Sequence, residues 1–180
     1  MTDPLRIVLI GSESTGKSTL TQQLAGHFGA PWSAEFVRDY AQKKDAPLGF
    51  GDHGPIARGQ AALEDAALAE AVKQDAALVF HDTDLLSTVV YCRHYFGRCP
   101  EWIESLAAER VADLYLLCDI DIEWVADPAR DRGDRRSEMH DLFEAVLVEF
   151  DADYEVVKGE DEERLKNAIT LVDDFLEEIE

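Results

Sequence analysis

Residues 11–18 contain the spacing most suited to chemistry, because Gly11 is followed by four residues and then by Gly16, Lys17 and Ser18. This order fits a phosphate-binding loop. Its glycines permit backbone angles at which successive N–H groups turn inward around an anion. The Lys17 ammonium would reach the terminal phosphates of a nucleotide, and the Ser18 hydroxyl would bind Mg²⁺. The alternative is a glycine-rich turn that binds nothing.

The segments on either side of this loop favour phosphate binding. Leu5–Ile10 is an apolar run rich in β-branched residues, which predicts a strand, and residues 19–25 predict a helix. A helix that begins near Lys17 would direct the positive end of its dipole towards bound phosphate. The sequence therefore predicts an ATP–Mg²⁺ site in a loop that includes Gly11, Ser14, Thr15, Gly16, Lys17, Ser18 and Thr19.

Two aspartates follow an apolar strand that is predicted over residues 77–82. The strand ends in Asp82, and Asp84 comes two residues later. An aspartate at the carboxyl end of a strand beside a phosphate loop commonly supports Mg²⁺ directly or through water. Asp82 is therefore a candidate for catalysis and for metal and substrate binding, and Asp84 for substrate binding. The alternative for Asp84 is that it caps a helix predicted over residues 85–96.

Charged residues also follow a second strand, which is predicted over residues 31–36. Glu35 and Arg38 come at its end, at the start of a short predicted helix that also contains Tyr40. In a parallel sheet these positions face the ligand crevice. Glu35 and Arg38 are therefore candidates for substrate contact, and an exposed ion pair between them is the alternative.

A cluster of arginines marks residues 127–137 of an otherwise acidic chain. The segment includes a proline and a glycine, and its basic residues are Arg130, Arg132, Arg135 and Arg136. An arginine-bearing lid of this kind would close over a nucleotide, exclude water and neutralise phosphate charge. In the alternative interpretation, the interleaved aspartates pair with the arginines in a solvated loop.

Composition limits the class of protein. The 180 residues, 46% of them hydrophobic, are enough for one domain with a sizeable core, predicted to span residues 1–180. The net charge of −21 argues against a nucleic-acid partner. No apolar run approaches the roughly 18 residues of a membrane helix, so we expect no membrane partner. The absence of signal-peptide features and the three sparse cysteines predict a cytoplasmic protein. The sequence leaves a homo-oligomer open.

Strand and helix patterns alternate, which favours a parallel sheet with helices on both faces. Residues 44–54 predict a loop near the substrate, with Asp52 as the cap of the helix that follows. Further helices are predicted at about residues 55–74, 101–112, 137–150 and 162–179, and further strands at about 113–119 and 154–157.

Taken in order, these motifs resemble the ribosylnicotinamide kinase domain of the NadR-type NAD-salvage proteins, within the P-loop kinases. The resemblance covers nearly the whole chain and depends on residues 7–20, 35–40, 56–60, 82–85, 124–130 and 135–136. It implies a three-layer α/β fold with a five-stranded parallel sheet in the order 2-3-1-4-5. It also implies ATP-dependent phosphorylation of the 5′-hydroxyl of nicotinamide riboside to nicotinamide mononucleotide. Larger family members carry an adenylyltransferase domain ahead of the kinase. On this resemblance, the chain would be a stand-alone kinase or a piece of a longer protein.

The candidate residues combine into one mechanism. Lys17 and the loop amides would bind the phosphates, while Ser18 and Asp82 hold Mg²⁺. Glu35 would orient the ribose hydroxyl and accept its proton, and Asp82 is the competing base. The remaining candidates are Arg130, Arg135 and Arg136 at the lid, Gly159 near adenine, and Arg38, Tyr40, Asp84 and Trp124 around the substrate. Acidic and aromatic side chains would suit the flat pyridinium cation of the riboside.

Two other functions stay open from the sequence. One is a kinase for another nucleoside or small metabolite. The other is a module that binds ATP or an NAD-related ligand and signals through lid closure without turnover.

Overall fold

The computed structural model describes residues 3–122 and 135–179. Five strands in these residues form one parallel sheet in the order β2-β3-β1-β4-β5, which confirms the predicted fold class and strand order. Parallel neighbours require crossover connections, and helices provide them here. The strands are β1 (Leu5–Ile10), β2 (Trp32–Ser33), β3 (Leu78–Asp82), β4 (Leu114–Cys118) and β5 (Tyr154–Val157).

Helices cover both faces of the sheet. None of those in the described residues is long and apolar enough to cross a membrane. They are α1 (Lys17–Phe28), α2 (Phe36–Lys44), α3 (His53–Gln74), α4 (Leu85–Phe96), α5 (Glu101–Glu109), α6 (Arg136–Glu149) and α7 (Asp161–Ile179), with a short 3-10 turn at Phe50–Asp52.

The central strand β1 separates two apolar layers, because successive side chains of a strand point to opposite faces. On one face, Val8 and Ile10 share a buried cluster with side chains of α4, α5 and α6. On the other face, Ile7 and Leu9 share a buried cluster with side chains of α1 and α7. Burial on both faces explains why the strand reads as a continuous apolar run.

Strand register brings the ends of β1 and β3 together. Leu9 pairs with Asp82, and the Thr83 N–H donates to the Leu9 carbonyl over 3.0 Å. The chain leaves both strands at the same edge of the sheet, where ligands bind in open α/β folds. The segments that follow β1 and β3 are therefore neighbours.

Several element boundaries differ from the predictions, and those of β2 and α5 are examples. Strand β2 contains only Trp32–Ser33, because it pairs at the sheet edge with two residues of β3. Helix α5 ends at Glu109, before the predicted end at residue 112. Just beyond this end, the Arg6 guanidinium donates to the carbonyls of Arg110 and Val111, which gives partners to backbone acceptors that no helix N–H reaches.

A buried acidic pair lies between α3 and the start of α4. Glu64 and Asp84 are each 5% exposed. Burial, reinforced by the Asp84 carboxylate, raises the pKa of Glu64 to about 7, although the Arg110 guanidinium lies 3.1 Å away and opposes the shift. Burial also raises the pKa of Asp84 to about 6. The folded protein therefore retains protons here that an unfolded chain releases near pH 4.

This pair predicts that the free energy of unfolding falls between about pH 5 and pH 8. The raised pKa values favour folding at low pH, and that contribution is lost as the pH rises through about 6 to 7. Glu64→Gln should remove at most about 3 kcal/mol of this pH dependence. Urea unfolding at pH 5, 6, 7 and 8 measures it.

The matched control is Glu70→Gln, on the same helix. Hydrogen bonds from Gln74 and Lys73 lower the pKa of Glu70, so this variant should keep the pH slope of the wild type between pH 5 and 8. A Glu64→Gln slope equal to that of the wild type would contradict the prediction.

Candidate active site

The loop between β1 and α1 has the backbone geometry that the motif predicts. Gly11 and Gly16 have φ values of 138° and 76°. A Cβ at Gly11 would lie 3.0 Å from the carbonyl oxygen of Cys118, so the close approach of β4 also requires glycine there. Ser14 has a positive φ of 57°. These left-handed residues produce the tight turn that aims backbone N–H groups at an anion.

Lys17 is the first residue of α1 and reaches back across this loop. Its ammonium donates to the carbonyl oxygens of Gly11, at 2.9 Å, and Ser12, at 2.6 Å. The helix N-terminus adds a partial positive charge at the same place. A lysine, a helix dipole and turned amides together form an anion-binding arrangement in a chain of strongly negative charge.

Ser18 and Asp82 form the contact between the loop and the end of β3. The Ser18 hydroxyl donates to Oδ2 of Asp82 over 2.5 Å. Asp82 is 2% exposed, and its Oδ1 has no hydrogen-bond partner among the described residues. Burial raises the pKa of Asp82, while the hydrogen bond from Ser18 opposes this shift. The two residues offer hard oxygen ligands, and the unpartnered oxygen fits a role in binding Mg²⁺.

Glu35 and Arg38 lie beside this pair. Nη2 of Arg38 donates to the Ser18 hydroxyl over 3.2 Å and lies 3.5 Å from Oε2 of Glu35. Glu35 occupies the N-cap position of α2, and its side chain is 20% exposed. The ion pair of the alternative interpretation therefore exists, but it lies against the loop. The structure brings Ser18, Glu35, Arg38 and Asp82 together.

Tyr40 forms a hydrogen bond with the loop that precedes α3. Its hydroxyl donates to Asp52 over 2.8 Å, and the Asp52 carboxylate also accepts from Lys44 and from the Gly49 N–H. These hydrogen bonds, that of Lys44 first, lower the pKa of Asp52 to about 2. Asp52 directly precedes α3, but its side chain makes no hydrogen bond that caps α3. The prediction of a side-chain cap is therefore wrong, because the carboxylate is used within residues 40–52.

Asp84 serves the fold. Its Oδ1 accepts from the Leu86 N–H at 2.9 Å, and its Oδ2 accepts from the Tyr115 hydroxyl at 2.6 Å. The side chain is the N-cap of α4 and is almost fully buried. Because both oxygens are occupied inside the protein, we leave Asp84 out of the substrate contacts proposed below.

The candidates from the later part of the chain differ in what they contact. Arg136 donates to the Ser14 carbonyl at 3.3 Å, so it contacts the loop directly. The N–H of Gly159 donates to Asp121 at 2.6 Å, and Arg135 lies 3.9 Å from Glu138 on the first turn of α6. Trp124 and Arg130 lie outside the described residues, as does most of the predicted lid.

Gln60 is a positioning residue that the sequence reasoning did not assign. It is 3% exposed; its Oε1 accepts from the Phe36 N–H at 2.9 Å, and its Nε2 donates to the Thr83 carbonyl at 3.2 Å. It thereby joins the start of α2, next to Glu35, to the turn after Asp82. The available signal was a polar residue on the core-facing stripe of α3, whose other buried residues are His53, Ile56, Ala57, Glu64, Ala67 and Ala71.

Gly59 explains how α2 approaches α3. A Cβ at this position would lie 2.2 Å from Cζ of Phe36, so the aromatic ring occupies the space that a side chain would need. Gly59 therefore leaves room for the Phe36 ring, and the next residue, Gln60, accepts the Phe36 N–H.

Known proteins are similar to this chain in sequence and fold. The AAA domain family matches residues 6–164. The trifunctional NAD biosynthesis/regulator protein NadR of Escherichia coli is 32% identical over 179 residues, covering 96% of this chain and 43% of that protein. A crystal structure of NadR protein in complex with NR has a TM-score of 0.80 at 26% identity, covering 96% of this chain and 52% of that one.

A second structure, of NadR protein in complex with NAD and AMP-PNP, has a TM-score of 0.76 at 24% identity, covering 96% of this chain and 50% of that one. The chain thus spans about half the length of these relatives. The similarities confirm the resemblance that the motifs indicated, and the P-loop kinase-like fold with it.

The contacts of Gln60 predict that Gln60→Leu loosens the first turn of α2. The variant leaves the Phe36 N–H and the Thr83 carbonyl without their partner, which should cost about 1–3 kcal/mol of stability. Amide hydrogen exchange should accelerate in residues 36–40. Exchange mass spectrometry and urea unfolding measure the two effects.

Gln74→Leu is the matched control, since Gln74 lies exposed at the other end of α3 and bonds only to Glu70 among the contacts described. Its stability should stay within about 0.5 kcal/mol of the wild type. Unchanged exchange of residues 36–40 in Gln60→Leu would show that Gln60 does not hold α2.

Proposed function

Because the chain belongs to the AAA domain family of P-loop proteins, and because its relatives include NadR, we propose that it is a ribosylnicotinamide kinase. It would transfer the γ-phosphoryl group of ATP to the 5′-hydroxyl of nicotinamide riboside. The products would be ADP and nicotinamide mononucleotide. A protein carboxylate would accept the proton of the hydroxyl. The relatives with NR and with AMP-PNP support the choice of both substrates.

The observation that carries the proposal is the convergence of four side chains at one end of the phosphate loop. The Ser18–Asp82 hydrogen bond lies next to Arg38, and Arg38 lies next to Glu35. Phosphoryl transfer needs bound phosphate, ligands for a metal and a group that orients the acceptor hydroxyl. This end of the sheet has residues suited to all three tasks: binding phosphate, binding a metal and orienting the hydroxyl.

Each residue takes one role. Lys17 and the amides of residues 11–19 bind the phosphates, with Ser14, Thr15 and Thr19 contributing from the loop. Ser18 and Asp82 would hold Mg²⁺, which would supply positive charge to neutralise the phosphates. Arg136, with Arg130 and Arg135, covers the phosphates and stabilises charge on the leaving oxygen.

Glu35 is our choice for the base. Asp82 is almost fully buried and already accepts the Ser18 hydroxyl. Glu35 is partly exposed, and among the described residues its side chain is paired with Arg38 through one long contact. It is therefore better placed to receive a proton from an incoming hydroxyl. Arg38, Tyr40 and Trp124 complete the proposed substrate contacts, and Gly159 would lie near adenine.

An ADP-release assay over a panel of ribosides tests the function. Nicotinamide riboside should give the highest kcat/KM, and mass spectrometry should identify nicotinamide mononucleotide. Lys17→Ala should abolish turnover without changing the circular dichroism spectrum, because the ammonium that grips the phosphates is lost. Lys43→Ala, an exposed change on α2, should retain wild-type rates.

The assay also separates the alternatives. A higher kcat/KM for another nucleoside would identify a different kinase, and ATP binding without ADP release from any riboside would identify a sensing module. Normal turnover in Lys17→Ala would overturn the phosphate-loop assignment.

The role of Glu35 predicts a loss of rate with little loss of binding. Glu35→Gln should lower kcat by about 10²- to 10⁴-fold, because the amide accepts no proton. The dissociation constant for ATP should stay within about twofold of the wild type, since Glu35 lies on the acceptor side. Stopped-flow turnover and calorimetric titration give the two quantities. Asp39→Asn, an exposed acid on α2, is the control, and a wild-type kcat in Glu35→Gln would remove Glu35 from the chemistry.

A further inference from the structure

Arg164 is a buried arginine that the proposed mechanism does not use. It lies in the first turn of α7 and is 3% exposed. Its Nη1 donates to Oδ1 of Asp121 at 2.6 Å and to the Gly159 carbonyl at 2.8 Å. Its Nη2 donates to the carbonyls of Thr15 at 3.0 Å and Asp119 at 2.9 Å. One guanidinium thus makes four hydrogen bonds.

The position of Arg164 is unfavourable for helix stability. A positive side chain near a helix N-terminus opposes the helix dipole. Burying a guanidinium also removes its hydration, and Nε has no hydrogen-bond partner among the described residues. The carboxylate of Asp121 and the carbonyl oxygens offset these costs. An arginine at this position is therefore better explained by the loops that it connects than by any stabilisation of α7.

Arg164 joins the three loops that leave neighbouring strands at one edge of the sheet. Thr15 belongs to the phosphate loop after β1, Asp119 and Asp121 follow β4, and Gly159 follows β5. Asp121 strengthens the same connection, because its other oxygen accepts the Gly159 N–H at 2.6 Å. A guanidinium is suited to this task because its donors lie in one plane and point in fixed directions.

The bond to Thr15 also fixes one peptide plane of the phosphate loop. In a trans peptide the carbonyl of one residue and the N–H of the next point in opposite directions. Holding the Thr15 carbonyl on the Arg164 side therefore directs the Gly16 N–H to the opposite side. Arg136 holds the Ser14 carbonyl in the same way, and the neighbouring Arg164 guanidinium contributes, after burial, to lowering the pKa of Arg136.

We propose that Arg164 is a positioning residue for ATP, which orients the amides of the phosphate loop and joins that loop to the residues proposed near adenine. The inference rests on the proposed binding of ATP by residues 11–18, and it holds for any acceptor substrate. Arg164 itself is buried and acts through the backbone of residues 15, 119 and 159.

The test compares nucleotide affinity with stability. Titration calorimetry with AMP-PNP and Mg²⁺, without riboside, should show a dissociation constant for Arg164→Met that is about tenfold or more above the wild type. Arg164→Lys keeps the charge but not the planar fork, so its affinity should lie between the two. In the ADP-release assay the KM for ATP should rise, while the KM for the riboside stays within about twofold.

Arg93→Met is the matched control. Arg93 also makes a multiple ion pair, with Glu104 and Glu149, but it joins α4 to α5 and α6. This variant should lose thermal stability and keep the AMP-PNP affinity of the wild type.

The outcomes are distinguishable. A wild-type protein that does not bind AMP-PNP would overturn the proposed ATP site itself. A wild type that binds, together with Arg164 variants that bind equally well, would overturn the positioning role alone. A parallel rise in the KM for ATP and the KM for riboside would indicate a general structural role and would also overturn it. If Arg164→Met does not fold, Arg164→Lys decides by the same measurements.

Discussion

The hydrogen bond between the Ser18 hydroxyl and the buried Asp82 carboxylate connects two parts of the chain that are 64 residues apart. It depends on the parallel pairing of β1 with β3, which ends both strands at the same edge of the sheet. Without that register, the phosphate loop and the acidic strand end would be separate features. With it, they meet at one edge of the sheet, and Arg38, paired with Glu35, contacts Ser18 there from the start of α2.

Buried polar side chains hold the loops at this edge of the sheet. Gln60 joins α2 to the turn after β3, and Arg164 joins the loops after β1, β4 and β5. Each lies on a helix and bonds to backbone groups of a loop. The helices therefore fix the positions of the loops. A buried polar group without partners would be costly, which makes each of these contacts specific as well as stabilising.

Much of the fold followed from local patterns. The apolar run of β1, the glycines at positions 11 and 16 and the alternation of strands with helices predicted a phosphate loop in a parallel sheet, and the structure has that sheet. Boundaries were less accurate where tertiary contacts decided them. Strand β2 is short because only two of its residues pair with β3, and α5 ends before the two carbonyls that the distant Arg6 side chain binds. For Asp84, the sequence left a cap and a substrate contact open, and the Tyr115 hydroxyl on a distant strand fixes it in the fold.

The sequence by itself determined the phosphate loop, the strand–helix context around it and the positions of the candidate acids, because these depend on local spacing and on backbone angles open to glycine. Only the tertiary structure decided which of those residues meet. The contacts of Ser18 with Asp82, of Gln60 with Phe36 and of Arg164 with Thr15 join residues that are far apart in the chain. Such contacts are set by strand order and helix packing, and hydrophobic periodicity carries no record of them.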